Sequence, residues 1–328
     1  MNTIFKEIKY AAKVVSDLAN DTPIMTSRTL DSLTGAKRIV VKCENFQRTG
    51  SFKFRGAWNA ISHLPSKERE RGIIAHSSGN FAQAVALVAK ILHTKATIVM
   101  PNNATPSKIQ ATKGYGAEVV LCGNNPGDRE KMANELVQKY SYKLVHPFDD
   151  YRIIFGAGTT AFELISKVKK LDLLLVPIGG GGLISGCSIA AKGLNPRIKV
   201  VGVEPKNADD AYRSFQLGER VPVENPNTIA DGLRSSVGEK TFSIIKEFVD
   251  DIITVTEEQI IDAMNFYWER MKLIVEPSGA VPLAGLMSGN IESPLIKNKR
   301  IGIIISGGNI DLSNFFSTLK KNTQKITF

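Results

Sequence analysis

Cysteine is scarce. Cys43, Cys122 and Cys187 are the only three in 328 residues, and they lie far apart, without the paired spacing of a zinc site or a disulfide framework, so a reducing compartment is expected. Long apolar runs are missing as well. The N-terminal stretch MNTIFKEIKYAAKVV carries Glu7, Lys9 and Lys13 among its apolar residues, which is unlike the core of a signal peptide or membrane span and predicts an amphipathic helix of a cytoplasmic protein. No internal repeat, low-complexity tract or proline-rich linker divides the chain; the length suggests two domains, which must then be interwoven. The formal charge of +10 is not clustered either: the basic residues are scattered among acids, and compact runs such as Lys320 and Lys321 are short. Because the charge is scattered, a solvated surface follows and no nucleic-acid partner is expected; a nucleic-acid binder, the rival reading, would show affinity that falls steeply with salt.

What is present is an ordinary globular composition, 43% hydrophobic and 23% charged,. Short β-branched runs recur near Val40, Ile74, Ile98, Val119, Leu174, Val201, Ile253 and Ile304. Between them lie stretches with helical spacing, such as Phe81 to Leu92, Thr160 to Val168 and Glu257 to Met271. That alternation predicts α/β layers around mostly parallel sheet. Glycine-rich turns (SSGN, GGGG and SGGN) follow several strands directly, where open α/β sheets place their ligands, and imply one shared cleft.

The sharpest feature is GGGG at Gly179 to Gly182, between the strand LLLVP and a helix expected to begin near Ser185. Glycines let backbone N–H groups wrap an anion at a helix start, so phosphate is the natural ligand; a purely structural turn is the alternative. The pattern matches neither the lysine-bearing phosphate loop nor a dinucleotide fingerprint. Lys53 in TGSFKFRGA is flanked by Phe52 and Phe54. Desolvation by such neighbours would make its amine reactive, whereas an isolated lysine is normally a solvated surface group.

Taken together, TGSFKFRGA, SSGNFAQA (from Ser77), GGGG, EPKNADD (Glu204 to Asp210), IADG (from Ile229) and SGGNID (from Ser306) resemble the tryptophan-synthase-type pyridoxal enzymes, and within them serine racemase and the catalytic domain of threonine dehydratase. The resemblance spans about residues 22 to 311. It implies two open, twisted, mostly parallel α/β sheets flanked by helices. The cofactor would lie in the cleft between a large domain (residues 1–71 and 149–328) and a small substrate-binding domain (72–148).

Pyridoxal 5'-phosphate is the implied cofactor. Lys53 would carry it and act as the catalytic base, Gly179, Gly180, Gly181, Gly182 and Leu183 would hold its phosphate, Asn80 its phenolic oxygen, and Ser306 would face its ring nitrogen. Ser77 would receive the substrate carboxylate, with Arg129 and Ser235 as lesser candidates. Ser78 stands where serine racemase has a serine opposite the lysine and many dehydratases have alanine; it would return a proton to the second face, or else simply cap the following helix. Glu204, the Ala208 carbonyl and Asp210 match a divalent-cation site for Mg²⁺ or Ca²⁺, the alternative being acids that offset a helix dipole. Gln83, Tyr115, Lys272 and Asn309 match positions that meet a nucleotide in animal serine racemase, which makes ATP a candidate activator, although Arg48 and Arg28 depart from that pattern. Phe81, Phe148 and the IFGAGT segment near Gly156 also depart from the racemase pattern.

The activity implied is dehydration of L-serine or L-threonine to pyruvate or 2-oxobutanoate with release of ammonia, accompanied by serine racemisation. A predominant racemase and, less well matched, a β-replacement enzyme of the cysteine synthase type are the rivals. The expected assembly is a homodimer acting on a small amino-acid substrate. Because the chain ends soon after SGGNID, isoleucine feedback through a further regulatory domain is not expected.

Overall fold

The structure, a computed structural model, describes residues 2–77, 79–104, 106–125 and 127–311, so Ser78 lies outside the described residues. Among these residues ten strands occur: β1 (Ile24–Thr26), β2 (Arg38–Cys43), β3 (Ile73–His76), β4 (Ala96–Pro101), β5 (Glu118–Cys122), β6 (Lys143–Leu144), β7 (Leu173–Pro177), β8 (Lys199–Pro205), β9 (Asp251–Val255) and β10 (Arg300–Ile305). They form a six-stranded sheet in the order β1-β2-β10-β7-β8-β9 and a four-stranded sheet in the order β5-β4-β3-β6. Every pairing is parallel except that of β1 with β2. The two mostly parallel α/β sheets expected from the sequence are therefore present.

β7 is buried throughout, as are β8 and β10 beyond their first residues. Such continuous apolar runs suit strands covered by helices on both faces. Strand alternation divides their side chains between two cores. Leu173 and Leu175 pack with Ile301, Ile303 and Ile305, while Leu174 and Val176 pack with Val200 and Ile304,. The smaller sheet divides likewise, Ile73, Ala75 and Ile98 facing one side and Ile74 and Val99 the other.

The eight strands expected from β-branched runs all form. β1 and β6, three and two residues long, are too short to show a period and escape sequence reading. The amphipathic N-terminal helix spans Asn2–Ser16 and buries Phe5, Ile8, Ala11 and Val15. The expected helix over 257–271 passes at Tyr267 from α into a π turn ending at Met271, and the helix after GGGG begins at Gly182, not near Ser185. Among the described residues, no helix is long and apolar enough to cross a membrane. All three cysteines are buried and unbridged.

The helix Tyr151–Val168 holds the two helices on which the site depends. A Cβ at Gly156 would meet the Arg55 carbonyl oxygen, in the helix Lys53–Ser62, at 2.5 Å. On another side, a Cβ at Gly186, in the helix Gly182–Leu194, would meet the Ile154 carbonyl oxygen at 2.2 Å. Only glycine permits both contacts. The glycines of IFGAGT are thus explained by helix packing.

Candidate active site

Lys53 opens its helix directly after a segment stitched to the end of β10. The Phe52 N–H donates to the Ser306 carbonyl at 3.0 Å, and Ser51 bridges to Gly307. The amine donates to the Pro147 carbonyl at 3.2 Å and lies 5.0 and 5.7 Å from the ring centres of Phe52 and Phe81. Burial brings its pKa down to about 8, against the upward pull of the Glu276 carboxylate. An amine with that pKa is partly neutral near neutral pH and can attack a carbonyl or exchange a proton.

The glycine turn faces the same place. Gly181 adopts φ +88°, and the helix it precedes starts without a side-chain cap, leaving buried N–H groups at a helix N-terminus for an anion. Phe148 covers Gly180 so closely that a Cβ there would fall 2.4 Å from its ring. Because Pro147 holds the lysine and Phe148 covers the glycine turn, these two neighbours join the two halves of the site. Behind the turn, Thr241 donates its hydroxyl to the Gly180 carbonyl at 2.8 Å and its N–H to Asp149 Oδ1 at 3.0 Å. Ser306, buried, sits just past β10.

Asn80 begins the helix Asn80–Ile91. Its amide donates to Glu276 Oε1 at 2.7 Å and accepts from Asn309 Nδ2 at 2.9 Å, and Asn309 also donates to the Thr49 carbonyl at 2.6 Å. Ser77 accepts the Gly79 N–H on its hydroxyl at 3.3 Å. Arg129 is half-buried and near enough to His76, the residue before Ser77, to help lower the imidazole's pKa, behind the larger effect of burial. Ser235 is exposed.

An amine for an aldehyde, an uncapped helix start for a phosphate, a serine hydroxyl at the strand end and an asparagine amide form a donor set that fits pyridoxal phosphate. Sequence reasoning missed Glu276, Thr241 and the bridging role of residues 147–148. Glu276 in VEPSG has no charged or glycine-rich company in sequence; only the fold sets it against Asn80 and Gly307.

The EPKNADD segment forms a second polar centre. Glu204, Ala208 and Asp210 are fully buried. Glu204 accepts the N–H groups of Ala211 and Tyr212 at 3.2 and 2.9 Å, and Asp210 Oδ2 accepts that of Val237 at 2.8 Å. Asp210 Oδ1 is buried without a hydrogen-bond partner. Burial, then the neighbouring Asp210 charge, pushes the Glu204 carboxyl well above its usual range, and burial raises Asp210 to about 6. Among the described residues no cluster of three or more His, Cys, Asp or Glu side chains is placed to hold a metal, so any cation here would need backbone oxygen and water besides these two acids.

Comparison with known proteins places the chain in a family. Residues 15–307 match the family described as pyridoxal-phosphate dependent enzyme. The chain is 46% identical to a serine racemase of Dictyostelium discoideum, covering 96% of this chain and 97% of that protein. It is 44% identical to an L-threo-3-hydroxyaspartate ammonia-lyase of Saccharomyces cerevisiae, covering 95% and 94%. The solved structure of maize serine racemase superposes with a TM-score of 0.92 at 39% identity, covering 98% of each chain. The chain belongs to the pyridoxal-phosphate dependent enzyme family.

Proposed function

We propose that this enzyme is an ammonia-lyase for small hydroxy amino acids, converting L-serine to pyruvate and L-threonine to 2-oxobutanoate with release of ammonia, and racemising serine in competition. One observation carries the reading. The Lys53 amine is bonded to a backbone carbonyl, not to a carboxylate, and its pKa is near 8, so it can take and return a proton near neutral pH.

Pyridoxal phosphate, when bound, supplies an electron sink that acidifies the substrate's α-C–H bond. Lys53 would carry the cofactor in the resting enzyme, and its Nζ, set free when the substrate's amino group takes its place, would remove the α-proton. The N–H groups of Gly179 to Leu183 hold the phosphate, Asn80 the phenolic oxygen, and Ser306 the ring nitrogen. Ser77 and the helix start beyond it receive the substrate carboxylate, helped by Arg129; Ser235 is the weakest of the carboxylate assignments because it is exposed. Loss of the α-proton and the β-hydroxyl leaves an enamine that water converts to the 2-oxo acid and ammonia. Ser78 is assigned the opposite face, where a returned proton would invert the substrate.

Residues 1–71 and 149–328 are proposed as the cofactor-binding domain and 72–148 as the substrate-binding domain. Glu204, Asp210 and the Ala208 carbonyl are proposed to bind Mg²⁺ or Ca²⁺, a reading supported by the unpartnered Asp210 Oδ1. ATP is retained as a candidate activator. A homodimer is proposed as the assembly, supported by exposed Phe46 and Ile274, whose surroundings are joined by the Asn45 bond to the Ile274 carbonyl at 3.1 Å.

The test is a side-by-side assay of pyruvate, 2-oxobutanoate and D-serine. Wild type is expected to make the 2-oxo acids and some D-serine. Lys53→Ala should lose turnover by several orders of magnitude together with the visible absorption of the holoenzyme. Ser78→Ala should lose D-serine and keep much of the ammonia release. Wild type that makes no D-serine is a plain dehydratase; wild type that takes up pyridoxal phosphate yet yields none of the three products overturns the reading.

A further inference from the structure

Glu276 is a buried acid that the proposed chemistry leaves unused. It immediately precedes the helix Pro277–Met287 and is only 4% exposed. A Cβ at Gly307 would meet its Oε1 at 2.5 Å, and Gly307 is the residue bridged to Ser51, two positions before Lys53. The carboxyl therefore sits where the Lys53 segment, the end of β10 and the start of the Asn80 helix converge. Its pKa is pushed up to about 8, by burial first and then by Asp231, with the Asn80 bond and Lys108 pulling the other way.

We propose that Glu276 is a positioning residue that fixes the Asn80 amide so that its N–H, not its oxygen, is presented to the cofactor. This rests on the assignment of Asn80 to the cofactor's phenolic oxygen. The two ends of an asparagine amide are almost the same size, so its orientation is set by its neighbours. Here a one-way chain sets it. The Thr49 carbonyl can only accept, which requires the Asn309 nitrogen at that end. The same nitrogen then donates to Asn80 Oδ1, which turns Asn80 Nδ2 toward Glu276 Oε1. Each Asn80 end is thereby anchored once, and one N–H remains to donate outward. An acceptor is needed at the Glu276 end, and a carboxyl supplies one in either protonation state.

The chain also spans the two sheets. Asn80 follows β3 of the smaller sheet, while Asn309 and Glu276 flank β10 of the larger one. Tightening the cofactor contact and holding the two sheets in register are then one act.

The proposal is tested by titrating apo-protein with pyridoxal phosphate and recording the dissociation constant, the absorption maximum and the apo-protein melting temperature. Wild type would be compared with Glu276→Gln, Glu276→Ala, Asn309→Ala, Asn80→Ala and the Asn80→Ala/Glu276→Ala pair. Glu276→Ala should weaken cofactor binding about tenfold, the equivalent of one buried hydrogen bond, and shift the absorption maximum. Glu276→Gln, which keeps a carbonyl acceptor, should stay within about threefold of wild type, and the double variant should be no weaker than Asn80→Ala alone. If Asn80→Ala weakens binding while Glu276→Ala and Asn309→Ala both leave affinity and spectrum as in wild type, Glu276 does not position the amide. If Asn80→Ala itself changes nothing, the assignment of Asn80 is what has failed. Should Glu276→Ala not fold, Asn309→Ala decides alone: an unshifted spectrum overturns the chain.

Discussion

Two buried groups of charges are attached to the larger sheet, one at β2 and the other at the end of β8, and they are built on opposite rules. Under the Lys53 helix, two cations face two anions. Arg55 binds Glu44 through Nε and Nη2 at 2.7 and 2.9 Å and Glu163 through Nη1 and Nη2 at 2.6 and 2.9 Å. Lys42 adds a bond to Glu163 at 2.9 Å, and Thr22 one to Glu44 at 2.6 Å. Burial works against ionisation in this group, but the partners win: Arg55 is held above its ordinary pKa and Glu163 below its own. In the EPKNADD turn, two carboxylates are buried with backbone N–H donors and one oxygen unpartnered, and both pKa values rise. The first group is complete within the chain. The second is short of positive charge, and a cation of the kind proposed for it would make up that deficit.

Breaking the balanced cluster should give the larger effect on stability. Arg55→Met would strand Glu44, which is fully buried, and leave Glu163 with Lys42 alone. Removing one partner of a buried pair costs about 3–5 kcal/mol, because the remaining charge has no compensation. Denaturant unfolding of the apo-protein should show that loss. A loss below about 1 kcal/mol would mean that water reaches Glu44 and that the cluster is not a closed unit.

The unbalanced pair should respond in the other direction. Mg²⁺ or Ca²⁺ at a hundredfold excess over its dissociation constant should stabilise the wild type by about 2.7 kcal/mol, and chelator should remove that gain. Asp210→Asn keeps an acceptor for the Val237 N–H but relieves Glu204 of a like charge. In chelator it is therefore expected to melt no lower than wild type, and in the presence of the cation to gain nothing. A variant that melts lower than wild type in chelator, with the cation response intact, would show that the acids only serve the helix start.

The sequence made these two groups unequally visible. The strands and the glycine turns were readable because burial on both faces leaves long β-branched runs, and because a backbone that must approach an anion leaves glycines. EPKNADD stood out only through the resemblance to the pyridoxal enzymes; on its residues alone it reads as acids that offset a helix dipole. Arg55, Glu44, Lys42 and Glu163 are drawn from up to 121 positions apart, and each looks locally like a surface charge in a helix or strand. The same distance hides Glu276, which meets Asn80 across 196 positions. Only the parallel order of β2, β10 and β7, which no local period specifies, brings such residues together. Phe148 was noticed as a departure from a pattern, but its closeness to Gly180 is a tertiary fact.

The smallest effect to be read comes from two residues on one helix. Arg55 and Lys53 are both withdrawn from water, yet Arg55 gains carboxylates and its pKa rises, while Lys53 gains only a carbonyl and its pKa falls to about 8. The ordinary lysine value is about 10.4, so between roughly pH 8 and 10.4 the unfolded chain binds a proton at this site that the folded chain does not. Stability from this group accordingly rises with pH across that window, and the folded apo-protein offers a neutral amine at pH values where free lysine does not. The rate at which apo-protein combines with pyridoxal phosphate, divided by the rate for a simple model amine to cancel the aldehyde's own titration, should be high and level below pH 8 and fall as pH rises from 8 toward 10.4,. Glu276→Gln should move the Lys53 midpoint downward, since that carboxylate is what pulls it up against burial. A midpoint that stays near the ordinary lysine value would show that Lys53 is as well hydrated as a surface residue, and the contrast with Arg55 would disappear.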